Sequence, residues 1–407
     1  MNRLQDAPWL FAPGIQRVFE AVEQDGDRAR AVGGAVRNAI LGQPVSDIDI
    51  ATTAVPKAVV DRVQAAGLKA VATGIDHGTV TVISEGVPYE LTTLRQDIET
   101  FGRQARVHFG TDWRLDAQRR DFTLNALYAD RNGRLFDPLG GLADCRAGIV
   151  RFIGDPDQRI REDYLRILRF FRMHAAYGTG PLDPEGLDAC ARQRDGLRHL
   201  SAERIGAEMK KLVSAREAPY CIQEMEDRGL LEITTGGISR TADFAALRSL
   251  DEYAEEASHP PLCFTVLAGF VSEDLHRVAD RFRLSNLDRK RVASALKATS
   301  FLEPSLQPRH LREALVDVGR QAAIDGLLMI WARTRANAGA KFDEHSFAAA
   351  LDSLRSLDVP VFPVAGNDLL GAGLTPGPDL GRTLEHLRSR WRASDFRLSK
   401  TELLELL

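Results

Sequence analysis

The chain has 407 residues, 44% of them apolar and 27% charged, with a net charge of −4. That length suggests two to four structural units with enough apolar material for packed cores, and the composition excludes a disordered or membrane-embedded chain. The negative balance also argues against nonspecific coating of nucleic acid. No apolar run reaches spanning length, and "PLCFTVLAGFV" (Pro261 to Val271) suits a buried helix. The N-terminus lacks a basic-then-apolar export signal. Cys145, Cys190, Cys221 and Cys263 have no C-x-x-C spacing, which predicts reduced thiols, no zinc site and a cytoplasmic compartment.

In chain order, "ARAVGGAVRNAILG" reads as a strand, a Gly33-Gly34 turn and a helix carrying Arg37. Paired glycines let the backbone approach a bulky anion, and a helix N-terminus offers free N–H groups. There is no Walker A sequence and no G-x-G-x-x-G, so neither a P-loop nor a dinucleotide site is indicated. Next comes "SDIDIATTA", in which Asp47 and Asp49 share one face of an extended strand while Ile48 and Ile50 share the other. Two like charges side by side repel, so either both sit in water or a cation sits between them. Ten residues after Arg37, the pair suggests a triphosphate-and-metal site, and paired carboxylates suit Mg²⁺. "TVTVIS", the turn Glu85-Gly86 and "VPYELTTL" predict a hairpin, whose Glu90 could supply a third carboxylate.

Beyond about residue 150 nearly everything has helical periodicity, interrupted near 178–184, 258–261, 303–308 and 360–378. In "GDPDQRIREDYLRILRFFRMHAAYG", Asp155 is a good N-cap and Pro156 suits the first helical position. Ile160, Tyr164, Ile167, Leu168 and Phe171 predict an apolar face. Asp163, Arg166, Arg169 and Arg172 recur every three residues on the opposite side. Taken alone, these four form a solvated, salt-bridged face, and Arg119-Arg120-Asp121 form a surface cluster. "RFRLSNLDRKR" (Arg281 to Arg291) carries five basic residues against one acidic, and Arg382 to Lys400 six against two. Such runs are more often solvated helix faces than polyanion sites.

"GGAVRNAILGQPVSDIDIAT", "YELTTLR", "RRDFTLNALY" and "GDPDQRIREDYLRILRFFR", in that order, resemble the class II tRNA nucleotidyltransferases and their bacterial poly(A) polymerase relatives. The likeness is strong over residues 30 to 215 and weaker to the end, where "GNDLLGAGLTPGPDLGRTLEHL" is similar to the family's tail. It implies an α+β chain: a polymerase-β-like nucleotidyltransferase head (1–150, a mixed sheet with helices), then an all-α neck (151–215), body (216–300) and tail (301–407).

The resemblance implies further that Asp47 and Asp49 bind metal and that Glu90 completes the acidic set, with Mg²⁺ as cofactor. Gly33, Gly34 and Arg37 would hold the triphosphate, and Arg120 and Asp121 the sugar. Asp163 and Arg166 would read the base, Arg169 and Arg172 would contact the nucleotide, and Arg388 and Arg392 would hold tRNA. An Asp–Arg pair can select cytosine and adenine together, since both present an amine donor beside a ring-nitrogen acceptor, whereas guanine and uracil reverse both. The implied activity is addition of the 3′-terminal CCA to tRNA from CTP and ATP, with pyrophosphate released and no membrane or partner protein involved.

The alternatives are a poly(A) polymerase, a partial CC- or A-adding enzyme, and an inactive RNA-binding homologue. The intact acidic positions disfavour the last. "ATGIDHGTVTV" is closer to the CCA-adding enzymes, and no His-Asp dipeptide marks a metal phosphohydrolase domain. Two departures stand out: Asn38 replaces the aspartate usual after "GGxVR", and the segment Arg95 to Phe109, where the family has a mobile loop, is more basic than expected.

Overall fold

The computed structural model describes residues 4–74, 78–101, 104–269, 271–337 and 343–407. Part of "ATGIDHGTVTV" (75–77) therefore lies outside the described residues. Two compact units divide the chain, Met1–Thr234 and Thr235–Leu407. The first is a mixed sheet with helices, the second is helical, and the chain is α+β.

In the first unit, helix α1 (Pro13–Val22) leads to β1 (Ala29–Val32), α2 (Gly34–Ile40), β2 (Asp49–Thr52) and α3 (Pro56–Ala65). There follow β3 (Lys69–Gly74), β4 (Thr79–Ser84), β5 (Val87–Thr93), β6 (Arg95–Phe101) and β7 (Gln104–Phe109). After α4 (Trp113–Gln118), the short strands β8 (Tyr128–Ala129) and β9 (Leu135–Phe136) complete a sheet of order β3-β4-β5-β2-β1-β8-β9. Strand β2 runs parallel to β5 and antiparallel to β1. The predicted hairpin is present, and Glu85 and Gly86 both take positive φ, the geometry a two-residue turn between twisted strands requires. Along β4 every second residue is buried, among them Val80 and Val82, under α1 and α3.

The segment expected to be a mobile loop forms a separate antiparallel pair, β6 with β7, with Arg95 opposite Phe109. The alternation of β-formers across "IETF" and "ARVHF" allows a two-stranded ribbon.

Helices α5 (Gly141–Ala147), α6 (Pro156–Glu162), α7 (Leu165–Tyr177), α8 (Pro184–Arg192) and α9 (Ala202–Val213) follow the sheet. The continuous helix expected from residue 155 onward is instead broken at Asp163, whose backbone is extended (φ −156°, ψ 105°). Asp163 Oδ1 accepts from the Leu165 N–H at 3.1 Å, so this aspartate caps a new helix instead of extending the old one. Asp155 caps α6 as expected, accepting from Gln158 N–H at 2.6 Å. Ile160, Ile167, Leu168 and Phe171 are fully buried, while Tyr164 is only partly so.

The second unit centres on a long helix, Arg320–Asn337, buried from Ala322 to Ala332. Gly326 lets it approach the helix Asn286–Leu302: a Cβ there would lie 2.6 Å from that of Ala298. Beside it Arg291 grips the buried Asp325 with two hydrogen bonds (2.6 and 2.9 Å), and Arg289 pairs with Asp280. Part of the basic run near residue 285 is thus spent on internal ion pairs. "PLCFTVLAGFV" contributes to a helix, Pro260–Ala268, buried from Pro261 to Ala268, as expected. All four cysteines are buried and free. Among the described residues no helix is long and apolar enough to cross a membrane.

Candidate active site

An open cleft of about 570 Å³ in the first unit gathers most of the residues singled out from the sequence. Gly33, Gly34, Arg37, Asp47, Asp49, Arg120, Asp121, Asp163, Arg166, Arg169 and Arg172 all line it. Gly33 has φ +70°, which a side chain would strain, and its backbone turns β1 into α2 beside the acidic strand.

Asp49 opens strand β2 and Asp47 lies just before it, both exposed, while Ile50 is fully buried beneath them. Among the described residues no cation pairs with either carboxylate. Although the Asp49 carboxylate reaches solvent, the surrounding protein strips part of its hydration and so raises its pKa; Glu90 adds to the rise, Arg120 opposes it and Asp47 adds a little more. Glu90, also exposed, sits opposite Asp49 in the parallel β2–β5 register, so both side chains leave the same face of the sheet. It does not line the cleft itself, and no ready-made group of three His, Cys, Asp or Glu ligands exists among the described residues. Two uncompensated carboxylates at the edge of a cleft fit a divalent cation that takes its other ligands from water and substrate phosphates.

Arg37 is the complementary feature. It is only 7% exposed, yet its partners are neutral: Asn125 Oδ1 at 2.5 Å and Asn38 Oδ1 at 3.2 and 2.9 Å. Burial lowers its pKa below the usual arginine value. Asn38 in turn donates to the Pro44 carbonyl at 2.7 Å, a bond an aspartate could not make. The Asn38 departure therefore ties α2 to the loop before Asp47 and leaves Arg37 without a counter-charge among the described residues.

Other arginines of the cleft are compensated. Arg120 bonds Asp116 (3.2 Å), which is 1% exposed and also holds Arg119 (2.7 Å) and the Tyr128 hydroxyl (2.8 Å). Burial alone would raise the Asp116 pKa, but Arg120, Arg119 and the Tyr128 bond together hold it below the ordinary value. Asp121, expected to meet a ribose, already accepts four bonds: from Phe122 N–H and Asn125 on Oδ1, and from Arg169 Nε and Nη2 on Oδ2. Its acceptor sites are filled, and although burial opposes ionisation, Arg169 and these bonds bring its pKa to about 2. Arg169 and Arg172 both reach Glu208, at 3.6 and 2.6 Å, so the free nucleotide contacts expected of them are engaged internally.

Asp163 and Arg166 do not pair with each other. Asp163 Oδ2 accepts from Arg204 at 2.6 Å, and Arg166 Nη1 donates to Glu162 at 2.6 Å and to the Arg159 carbonyl at 2.7 Å. That leaves Asp163 two acceptor positions, and Arg166 its Nε and Nη2 donors, for a base edge. Arg159 also donates to the carbonyls of Arg119 and Arg120, at 2.5 and 2.8 Å, binding α6 to the sheet side of the cleft.

Sequence reasoning missed Glu162, Arg204, Glu208, Asn125, Tyr177 and Lys211. The last three line the cleft, and among the described residues Lys211 makes no ion pair. Arg204, Glu208 and Lys211, spaced four and three apart, share one face of α9, a legible pattern.

In the second unit, Arg388 stands over the Phe362 ring at 5.3 Å and lies 3.5 Å from Glu385. Arg392, expected to face tRNA, is instead bound to Asp317 through both terminal nitrogens, at 2.9 and 2.6 Å. Arg390, on the same helix (Pro378–Ala393), is exposed and pairs with no carboxylate among the described residues.

Comparison with known proteins accords with this geometry. Residues 29–151 match the poly A polymerase head domain, and residues 181–235 match the family described as a probable RNA and SrmB-binding site of polymerase A. The mitochondrial CCA tRNA nucleotidyltransferase 1 of Mus musculus is 33% identical over 409 residues, spanning 98% of this chain and 90% of that protein. A CCA-adding enzyme of Limosilactobacillus fermentum is 29% identical, over 95% of this chain and 93% of its own length. The crystal structure of the Bacillus stearothermophilus CCA-adding enzyme in complex with CTP superposes with a TM-score of 0.72 at 26% identity, covering 97% of each chain. The chain belongs to the family of CCA-adding tRNA nucleotidyltransferases and their poly(A) polymerase relatives.

Proposed function

We propose that this protein builds the 3′-terminal CCA of tRNA from CTP and ATP, without a nucleic-acid template. The observation that carries the reading is the cleft's charge pattern: among the described residues, an uncompensated Asp47–Asp49 pair beside Arg37, an arginine held by neutral groups, with Asp163 and Arg166 on the same cleft. In the reaction the RNA 3′-oxygen bonds to the α-phosphorus of the nucleotide, the bond to the β-phosphate oxygen breaks, and pyrophosphate leaves. Nucleotidyltransferases of this kind use divalent metal, and Mg²⁺ held by Asp47 and Asp49 would lower the 3′-hydroxyl pKa and offset charge on the phosphates.

Arg37 and the Gly33-Gly34 backbone bind the triphosphate and retain the departing pyrophosphate. Asp163 accepts from the exocyclic amine of cytosine or adenine, and Arg166 donates to the ring nitrogen beside it. Asp121 serves by holding Arg169 and Asn125, and so Arg37 through Asn125. The helical tail (301–407) supplies tRNA-binding surface, and a cytoplasmic location suits the reduced cysteines.

The test is incubation with a tRNA lacking its terminal CCA and with labelled CTP and ATP, separately and together. Two C additions with CTP alone and a single final A with both are expected. A run of A from ATP alone would identify a poly(A) polymerase, and arrest after CC a partial enzyme.

A further inference from the structure

The last residue of α7 lies under the arginine of the anion site. The Arg37 guanidinium carbon stands 3.8 Å from the centroid of the Tyr177 ring. Asn125 and Asn38 hold the guanidinium edge, and Asn38 is itself fixed by its bond to the Pro44 carbonyl. A ring face attracts a cation through its quadrupole without cancelling the charge. A carboxylate at the same place would cancel it, as Asp116, Glu162, Asp121 and Glu208 do for the other cleft arginines. The cage around Arg37 therefore orients a buried cation and leaves it whole for an incoming anion.

Position in the chain gives this contact a second meaning. Arg166 stands in the first turn of α7 and Tyr177 at its end, about 16 Å apart along the axis at 1.5 Å per residue. One helix thus bears a base-reading residue near its start and the platform of the phosphate-binding arginine at its finish.

We propose that Tyr177 is a positioning residue that holds Arg37 for the nucleotide triphosphate and for the pyrophosphate product. This rests on the reading of Arg37 as a triphosphate contact, and the experiment separates the two. Inhibition by inorganic pyrophosphate, with KM for CTP and for ATP, is measured on the full chain for Arg37→Ala, Tyr177→Leu, Tyr177→Phe and the double variant Arg37→Ala/Tyr177→Leu. Tyr177→Leu should weaken pyrophosphate inhibition and raise both KM values together, roughly 3- to 30-fold. It should leave kcat and the CTP-to-UTP ratio little changed. Tyr177→Phe, which keeps the ring face, should restore most of the affinity, and the double variant should be no weaker than Arg37→Ala alone.

A normal pyrophosphate response in Tyr177→Leu, with a weakened one in Arg37→Ala, would overturn the proposal and spare the reading. Fully additive losses would overturn it too. A normal response in Arg37→Ala would remove the reading of Arg37 and the proposal with it. Should the leucine variant not fold, Tyr177→Gln removes the ring at this partly exposed helix end and is judged by the same outcomes.

Discussion

The Asp163 carboxylate is held by Arg204, 2.6 Å from Oδ2, and not by Arg166 three residues on. The two candidate base readers are therefore fixed by separate partners, Arg204 for one and Glu162 for the other. Each keeps capacity for half of a base edge, and each can be loosened alone. Arg166→Ala should lower correct incorporation and narrow the ratio of CTP to UTP use by about 1–3 kcal/mol, the scale of one lost bidentate contact. Arg204→Ala should narrow it as well, by freeing Asp163, while Arg204→Lys recovers part of the loss. Single-turnover incorporation of each of the four nucleotides on one tRNA end decides the matter. A uniform loss with discrimination intact would make Arg166 an electrostatic contact only.

Asp49 and Asp116 should respond to substitution in opposite ways. Asp47 and Asp49 have no cationic partner among the described residues, so Asp47→Ala or Asp49→Ala should leave the thermal midpoint near its starting value. Incorporation should nevertheless fall roughly a thousandfold or more. Asp116, by contrast, is a buried hub for Arg119, Arg120 and Tyr128. Asp116→Ala leaves two arginines partly uncompensated and should cost about 3–5 kcal/mol of stability. Urea denaturation and incorporation measured on the same preparations check both. Asp49→Ala that unfolds, or that incorporates normally, would defeat the metal-site assignment.

How much of this was legible depended on whether a residue's task is local. The Gly33 turn, the Glu85-Gly86 hairpin and the Asp155 cap are set by backbone preference over a few residues, and the sequence carries them openly. The buried Ile50 beneath two exposed aspartates follows from strand alternation. The break at Asp163 was not legible, because helical periodicity continues across it and only the competing side-chain bond to Leu165 N–H interrupts the helix. Ion-pair partners were least legible. Charge spacing put Asp163, Arg166, Arg169 and Arg172 on one face, but whether each meets solvent, substrate or a carboxylate is decided by residues such as Asp121, 48 positions from Arg169. The partner of Arg392 was hidden for the same reason, Asp317 lying 75 positions away.

Asp121 gives a pH dependence with a definite sign. Its pKa is about 2 in the folded protein against an ordinary 3.8, so the folded state favours the charged form. The stabilisation, about 2 kcal/mol, is complete above the unfolded value and is lost as pH falls from about 3.8 toward 2. The stability gap between the natural protein and Asp121→Asn should be widest near pH 5 and close by about that amount toward pH 2. Urea titrations at several pH values measure it. A gap independent of pH would mean that Arg169 does not stabilise the Asp121 charge.

The second unit makes a prediction in which neighbouring arginines part company. Arg392 is bonded twice to Asp317, and next to it Trp391 is buried among Leu387, Leu369 and Leu403 in the core of the C-terminal helices. Arg392→Glu would set two carboxylates against each other beside that core, so it should destabilise the C-terminal helices, and any loss of tRNA binding would follow from unfolding. Arg390 is exposed and makes no ion pair among the described residues. Arg390→Glu should leave the thermal midpoint unchanged but weaken tRNA binding, more at low salt than at high, and reduce the slope of log affinity against log salt by about 1. Arg388, held over Phe362 and near Glu385, should fall between the two. ATP affinity in the absence of tRNA should be the same for natural protein and Arg390→Glu, since that measurement reads the first unit alone. The decisive data are tRNA affinities at several salt concentrations, paired with melting curves. Unchanged tRNA affinity in a fully folded Arg390→Glu would leave this helix face a solvated surface and move the tRNA contact elsewhere.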